Sequence, residues 1–511
     1  MRLENQTKKR YIFLAFFIVG FLFTRLPGIE SDVVNPDAVN WHGRAEQFVV
    51  GLKHFQLEKT YQHYQPGVTL MWLVGPTVEA VKQLNGDLVY NQDTFLVFYH
   101  YSKVVLIFVQ LALTMYGIHL LSKLIGFNKA FLTFSLFSIE PFFVANSRVL
   151  HLDVLLALLL FNGLLLTYLF YKEKKCSFGV MAGVLLGFAT LTKSVALGGV
   201  LMASGFVFLY RLKEDGFKKA LCSGFTILVP AVLVFVAFLP ALWVNMREVL
   251  EFLYDGIERV GIRRGHNQII FGNYTKDAGA IFYPLVFALK TSPFLLAALA
   301  LSSSKTKKIN IKKPSLSFFL TIFFVGYLVV MTYSSKKIDR YFLPVYPYLG
   351  LMVVLGVSQL KDLLKNTWFR GFSVLLFLFF VILPLFKLHP YHFTYTNPLF
   401  GKPQDVHENI LAQKPFGVGI PALKDYLRAN YGNPTLGFVD KKPMAAIYAG
   451  SKIFDINIDG TKRYDIMVLG VNEEVPEKVL QSESKYVLKD TLFINELEYW
   501  KIYVKQNTEI N

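Results

Sequence analysis

The sequence predicts an α-helical polytopic membrane protein with a small α/β domain at its C-terminal end. Three observations predict it. Of 511 residues, 53% are apolar and 48 are Phe. Charged residues make up only 17%, against about 25% in soluble domains. Apolar runs of about 20 residues recur as far as residue 388, each long enough to cross a bilayer as a helix. The formal charge of +17 does not point to nucleic acid. Lys and Arg gather in short loops between the apolar runs, which is the positive-inside pattern.

Taken in order, the first run is Tyr11–Phe23, preceded by Arg2, Lys8, Lys9 and Arg10 and continued by Thr24-Arg25-Leu26 without an Ala-x-Ala site. It reads as a signal-anchor whose basic end stays in the cytoplasm. Candidate spans then follow at 11–27, 97–122, 128–146, 152–171, 178–193, 194–210, 220–243, 280–301, 315–333, 341–358 and 371–388, about eleven in all. The segment 66–84 is apolar too, but it holds two prolines, two glycines and Glu79. If it does not span, the basic loops Lys123–Lys129, Lys172–Lys175, Arg211–Lys219, Lys305–Lys313 and Lys361–Arg370 all share the cytoplasm with the N-terminus. If it spans, all of them move outside, against the orientation rule. It is therefore expected to lie at the outer interface as a juxtamembrane or re-entrant helix.

This topology predicts an integral plasma (inner) membrane protein with a membrane domain over 1–388. Its outer segments include a first loop at 28–96 and a long loop at 244–279. Residues 389–511 form an outer domain of about 120 residues, with β-like runs at Thr435–Val439, Tyr464–Val471 and Tyr499–Val504 and a helix near Pro421–Asn430. Cys176 and Cys222 fall near the cytoplasmic face, so no outward disulfide is expected.

The chemistry-bearing residues all fall on the predicted outer side. Asp37 follows Pro36 just after the first span, with His42, Arg44 and Glu46 behind it. Its carboxylate could accept a proton from an acceptor hydroxyl; a helix N-cap explains it equally well. His63-Tyr64-Gln65-Pro66-Gly67 opens the interfacial helix, where Pro is a helix-start signal in itself. Arg148, His151 and Asp153 open a Leu-rich span. An acid one turn into apolar sequence is costly and usually functional, although an Arg148–Asp153 ion pair that fixes the helix would also suffice. Lys193 interrupts a long apolar run, where it could snorkel to headgroups or bind a phosphate. The long loop carries Arg259, Arg263, Arg264 and His266, and Lys290 sits mid-span, where it demands a partner or a cavity. Ser334-Ser335-Lys336-Lys337-Ile338-Asp339-Arg340 puts three cations on a short outer loop, where the orientation rule disfavours them. Such cations suit a phosphate at the membrane surface, or anionic headgroups. No zinc-type Cys/His spacing, P-loop or Rossmann fingerprint is present. No nucleotide cofactor is expected, and a divalent cation is left open.

The order of these motifs resembles a family. Pro36-Asp37, Gln65-Pro66-Gly67, Arg148…Asp153, Gly187–Lys193, Gly265-His266, Tyr283-Pro284…Lys290-Thr291, Asp339–Pro347 and Tyr395–Gly401 are similar to the GT-C membrane glycosyltransferases. Among these, the likeness is to the protein O-mannosyltransferase and lipid A aminoarabinose transferase superfamily, that is, glycosyltransferase family 39. The resemblance implies a GT-C fold, a polyprenyl-phosphate sugar donor, an extracytoplasmic active site and inversion at the anomeric carbon. Asp37 matches the first acid of the family's Asp-Glu pair, but the second position is Ala38. Gln65 stands where the aminoarabinose transferases carry Lys, so phosphate binding falls to other cations.

The expectation is a glycosyltransferase moving a hexose or pentose to a hydroxyl of a protein, lipid or glycan, with membrane lipids as its surroundings. Asp37 would be the base. Arg340, Lys336, Lys337, Lys290 and Lys193 would hold the donor phosphate. Arg148, Asp153, His42, His63, Gln65 and His266 would shape the site, and no residue is assigned to a metal. The rival class is a lipid or glycan transporter or flippase, whose signs would be inverted repeats or paired broken helices; the sequence displays neither. A binding scaffold, the third class, leaves Lys290 and Asp153 unexplained.

Overall fold

The computed structural model describes residues 2–303, 313–459, 461–481 and 485–506. Every apolar run forms helix. After α1 (Arg2–Phe23) come α2 (Pro36–Lys53) and α3 (Val68–Leu84), then α4 (Phe95–Ile125), α5 (Phe127–Ser138), α6 (Pro141–Ser147) and α7 (Asp153–Glu173). The bundle continues with α8 (Cys176–Thr192), α9 (Leu197–Asp215), α10 (Phe217–Phe238), α11 (Ala241–Gly256), α12 (Phe282–Lys290), α13 (Pro293–Ser303), α14 (Leu316–Tyr333) and α15 (Tyr346–Val357). The last span is Thr367–Lys387. Among the described residues, seven helices are long and apolar enough to cross a membrane, or up to nine if each of two bent pairs is one span. Of the remaining expected spans, α1 carries Lys8, Lys9 and Arg10, and α8 has 17 residues. The basic loop expected at Lys305–Lys313 lies outside the described residues up to position 312.

The bundle is organised around α7. Its window is 94% buried, which suits a helix that is apolar all round. The two bent pairs are α5–α6, bent by 75°, and α12–α13, bent by 112°. No such pair was expected from the sequence. Pro141 and Pro293 cause both breaks, because proline cannot donate a backbone N–H and disfavours helix in the residue before it. The breaks meet. Glu140 accepts hydrogen bonds from Ser292 N (3.0 Å) and Oγ (2.7 Å). Asn397 Nδ2 donates to the carbonyls of Ala288 and Thr291 at 2.9 and 3.0 Å. The freed backbone is thus satisfied by buried protein, and these breaks are packed joints.

Two further elements position the site. Helix α3 packs beside α2 instead of continuing the series of long spans. At its start Gly67 has φ +62°, and a Cβ there would lie 2.1 Å from the Trp41 ring. Only glycine permits both that conformation and that approach. The second is the segment expected as a long loop at 244–279, much of which is helical. In α11, Ala241, Leu242, Val249 and Leu253 are buried, while Trp243, Met246, Leu250 and Phe252 remain exposed. This is the pattern of a helix lying on a bilayer. A π-helical turn (Ile257–Arg263) and a hairpin, β1 (Gln268–Ile270) with β2 (Asn273–Thr275), complete the segment.

Beyond the last span, residues 389–411 run back over the α12–α13 joint. A five-stranded mixed sheet follows, built from β3 (Leu436–Phe438), β4 (Ile453–Asp455), β5 (Ile466–Gly470), β6 (Tyr486–Ile494) and β7 (Leu497–Lys505) in the order β4-β3-β5-β7-β6. Strand β3 is parallel to β4 and β5, and β7 is antiparallel to β5 and β6. The helix Ile420–Tyr431 buries Ile420, Leu423 and Leu427 at helical spacing. The joint to the bundle is a backbone pairing, Val34 N to Gly417 O at 3.0 Å and Gly419 N to Asp32 O at 2.8 Å. At Gly417, with φ +72°, a Cβ would lie 1.9 Å from Val34 O.

Candidate active site

Helix α2 presents Asp37 because of its spacing. Asn35 is the N-cap, its side chain accepting from Ala38 N at 2.7 Å. Asp37 is therefore not the cap. Asp37, Asn40, Trp41 and Arg44 share one face and line a cavity of about 900 Å³. Ala38, His42, Ala45 and Phe48 occupy the buried face. His42 consequently lies behind the site, its ring among Tyr90, Phe95 and Tyr99. Burial pushes its imidazole down to about 3, leaving it neutral.

Asp37 Oδ2 takes Arg340 Nη2 at 2.7 Å and His151 Nε2 at 3.2 Å. Among the described residues none donates to Oδ1, and the side chain is 39% exposed. Behind it stands Asp153, which is 3% exposed. Lys193 Nζ lies 2.6 Å from Asp153 Oδ1. His151 Nδ1 and Arg340 Nε lie 2.7 and 3.1 Å from Oδ2, close enough to pair but not aligned for hydrogen bonds. Burial alone would raise the Asp37 carboxyl, but the His151 hydrogen bond and the charges of Arg340 and Arg44 outweigh it. They hold the group well below the usual carboxylate range.

The cavity wall is cationic. Arg44, Arg264, Lys276, Lys336, Arg340 and Lys414 line it. Lys336 Nζ donates to Tyr64 Oη at 2.9 Å. Gln65 Nε2 reaches Tyr341 Oη at 3.4 Å. His63 accepts at Nδ1 from Gln65 N at 3.1 Å, and burial, followed by Arg44, lowers it to about 4. His266 Nε2 faces Lys414 Nζ at 2.7 Å; burial first, then Lys414, pushes the ring to about 3. Burial and Arg340 lower Lys414 to about 8. The C-terminal domain closes the far wall with Asp440, Asn472, Glu473 and Trp500.

Of the residues singled out in the sequence, Asp37, His63, Gln65, His266, Lys336 and Arg340 line this cavity, with Asp153 and Lys193 directly beneath. Besides His42, three others that were assigned a role do not converge on it. Lys337 is 2% exposed and donates to Asp277 at 2.8 Å. Lys290 donates to the Tyr395 carbonyl at 3.0 Å and borders an adjoining space of about 60 Å³, which shares His266, Arg340 and Lys414 with the cavity wall. Arg148 pairs with Asp32 at 2.9 Å, not with Asp153, and lies under the α1–α2 connection. The short spacing from Arg148 to Asp153 misleads because the turn between α6 and α7 sends the two side chains to different sides. Sequence reasoning missed His151 as a bridge, although it stood inside the quoted motif. It also missed Lys414, Asp440 and Glu473, for which no local signal exists. Among the described residues no group of three or more His, Cys, Asp or Glu could hold a metal ion.

No family model matches the sequence, and no curated protein matches it significantly. Solved structures do resemble it. The structure of ArnT from Cupriavidus metallidurans bound to undecaprenyl phosphate aligns with a TM-score of 0.53 at 14% identity, covering 97% of this chain and 98% of that one. Its apo state gives 0.52 at 14%, over 98% of both chains. The Archaeoglobus fulgidus oligosaccharyltransferase in its apo form gives 0.50 at 12%, over 90% of this chain and 69% of that one. What is shared at these identities is the fold. The chain is an integral membrane protein with the GT-C architecture that the motif order implied.

Proposed function

We propose that this chain is a glycosyltransferase that moves a sugar from a polyprenyl-phosphate donor to an acceptor hydroxyl. The carrying observation is Asp37, with one free carboxylate oxygen in a cationic cavity, beneath a fold it shares with a structure bound to undecaprenyl phosphate. The donor's chain would lie along the apolar helices with its phosphate among Arg340, Lys336, Arg264 and Lys414. Those cations would stabilise the charge gained as the sugar leaves. Lys193, Lys290 and Lys337 are engaged by Asp153, a carbonyl and Asp277, so this reading moves their expected role to Arg264 and Lys414.

Asp37 Oδ1 would take the acceptor proton as the hydroxyl attacks in line, inverting the anomeric carbon. A carboxylate held so low is a weak base while Arg340 and His151 grip it. Donor phosphate competes for the Arg340 guanidinium, which loosens that grip when the substrate is in place. The site would face the exterior of the plasma membrane, with a protein, lipid or glycan as acceptor. Purified protein in liposomes, given a radiolabelled polyprenyl-phosphate sugar and a hydroxyl acceptor, tests this reading. Transfer is expected from the wild type; undiminished transfer by Asp37→Asn would overturn it.

A further inference from the structure

A second cavity, of about 780 Å³, lies away from Asp37, between α1 and the last span. Its walls are Phe16, Phe17, Phe21, Phe377, Leu385 and Phe386. The last span has only 11% of its window buried, so this slot opens toward lipid instead of protein. Its end is built differently. Arg25, Ser135, Ser138, His389 and His392 line it there, at the end of α1 that leads toward α2.

Arg25 is fully buried and sits over the Phe21 ring at 3.7 Å. It donates to the Ser138 carbonyl at 2.7 Å and to Thr24 Oγ1 at 2.8 Å. Among the described residues its Nε has no partner and no carboxylate pairs with it. Of the two acids on this connection, Asp32 is already shared by Lys103 and Arg148, and Glu30 is exposed. A buried cation without a counter-charge is unfavourable. The hydroxyls of Ser135 and Ser138 are unpartnered as well. His392 gives its Nε2–H to the Leu385 carbonyl at 2.9 Å. Its Nδ1, also unpartnered, is then an acceptor.

We propose that this slot binds one anionic bilayer phospholipid with a hydroxylated headgroup, its acyl chains along the phenylalanines and its phosphate on Arg25. The unpaired guanidinium and the two serine hydroxyls supply donors for a phosphate. The free His392 nitrogen supplies an acceptor for a headgroup hydroxyl. A choline headgroup offers neither net negative charge nor a hydroxyl, so it leaves both ends of this arrangement unanswered.

The test is native mass spectrometry of the detergent-purified full chain, titrated with equal phosphatidylglycerol and phosphatidylcholine. The wild type is expected to retain one phosphatidylglycerol with about tenfold preference, the scale of one charge-assisted hydrogen bond. Arg25→Gln should bring that ratio close to one. Gly20→Leu should reduce retention of both lipids. Gly20 lines the slot and a Cβ there meets nothing within 4 Å, so the added side chain starts from open space, and Leu is the better helix former. Equal retention of the two lipids by wild type, or an unchanged preference in Arg25→Gln, overturns the proposal. So does undecaprenyl phosphate displacing the phosphatidylglycerol in wild type but not binding Gly20→Leu, which would make the slot a polyprenyl site.

Discussion

Asp32 and Asp37 stand five positions apart, each between an Arg and a second basic side chain, yet their surroundings differ. Asp32 is 1% exposed and both of its oxygens are engaged: Lys103 at 2.5 Å and Val33 N at 2.6 Å on Oδ1, Arg148 at 2.9 Å on Oδ2. Arg148 in turn donates to the carbonyls of Arg25 and Pro27 at 3.0 and 2.8 Å. That cluster fixes the connection between α1 and α2. Asp37 has the same kind of partners on one oxygen only, and its other oxygen is open to a cavity. The residue types are alike; what fits Asp37 and not Asp32 for the proposed reaction is an oxygen that takes no donor among the described residues and faces the cavity.

The sharpest way to break this contrast is to neutralise each acid. Asp37→Asn should lower transfer about 10²–10⁴-fold and cost less stability than the Asp32 variant, because Arg340 keeps Asp153 as a partner. Asp32→Asn should do the reverse, removing about 3–5 kcal/mol of stability by stranding Lys103 and Arg148. Its midpoint in detergent would fall steeply. Equal stability losses in the two variants would erase the distinction. Lys336→Ala, which removes a cation from the cavity wall, should raise the apparent donor KM about tenfold with a smaller effect on kcat. A pure kcat defect would move Lys336 out of phosphate binding.

The two smaller effects concern pH. Lys414 titrates near 8, so its charge is present below that value and lost above it. Donor KM should climb above about pH 8, and Lys414→Arg should extend the plateau. Glu473 is raised to about 7, chiefly by burial and against a hydrogen bond from Gly470 N. The folded chain therefore binds this proton more tightly than the unfolded one. The contribution is complete below the unfolded value and fades as pH rises through about 7. Glu473→Gln should flatten that slope by about 1 kcal/mol, because partial exposure screens the effect. A slope unchanged in the variant assigns it to another group.

The sequence by itself determined the class of molecule and brought together several residues of the candidate site. Length and composition of the apolar runs dictate helices, because lipid leaves no other partner for the backbone. Asp37, Gln65 and Arg340 could be placed near one face by counting spans, and three of the C-terminal strands could be read from alternation. Only the tertiary structure decided which ions pair. Arg148 and Asp153 are neighbours in sequence but serve different clusters, whereas Arg340 reaches Asp37 across most of the chain. The broken helices, the exclusion of Lys290 and Lys337 from the cavity, and the wall of Lys414, Asp440 and Glu473 likewise came from packing. Ion pairing acts through space over a few ångströms, and local sequence pattern carries no record of which distant segment folding brings within that range.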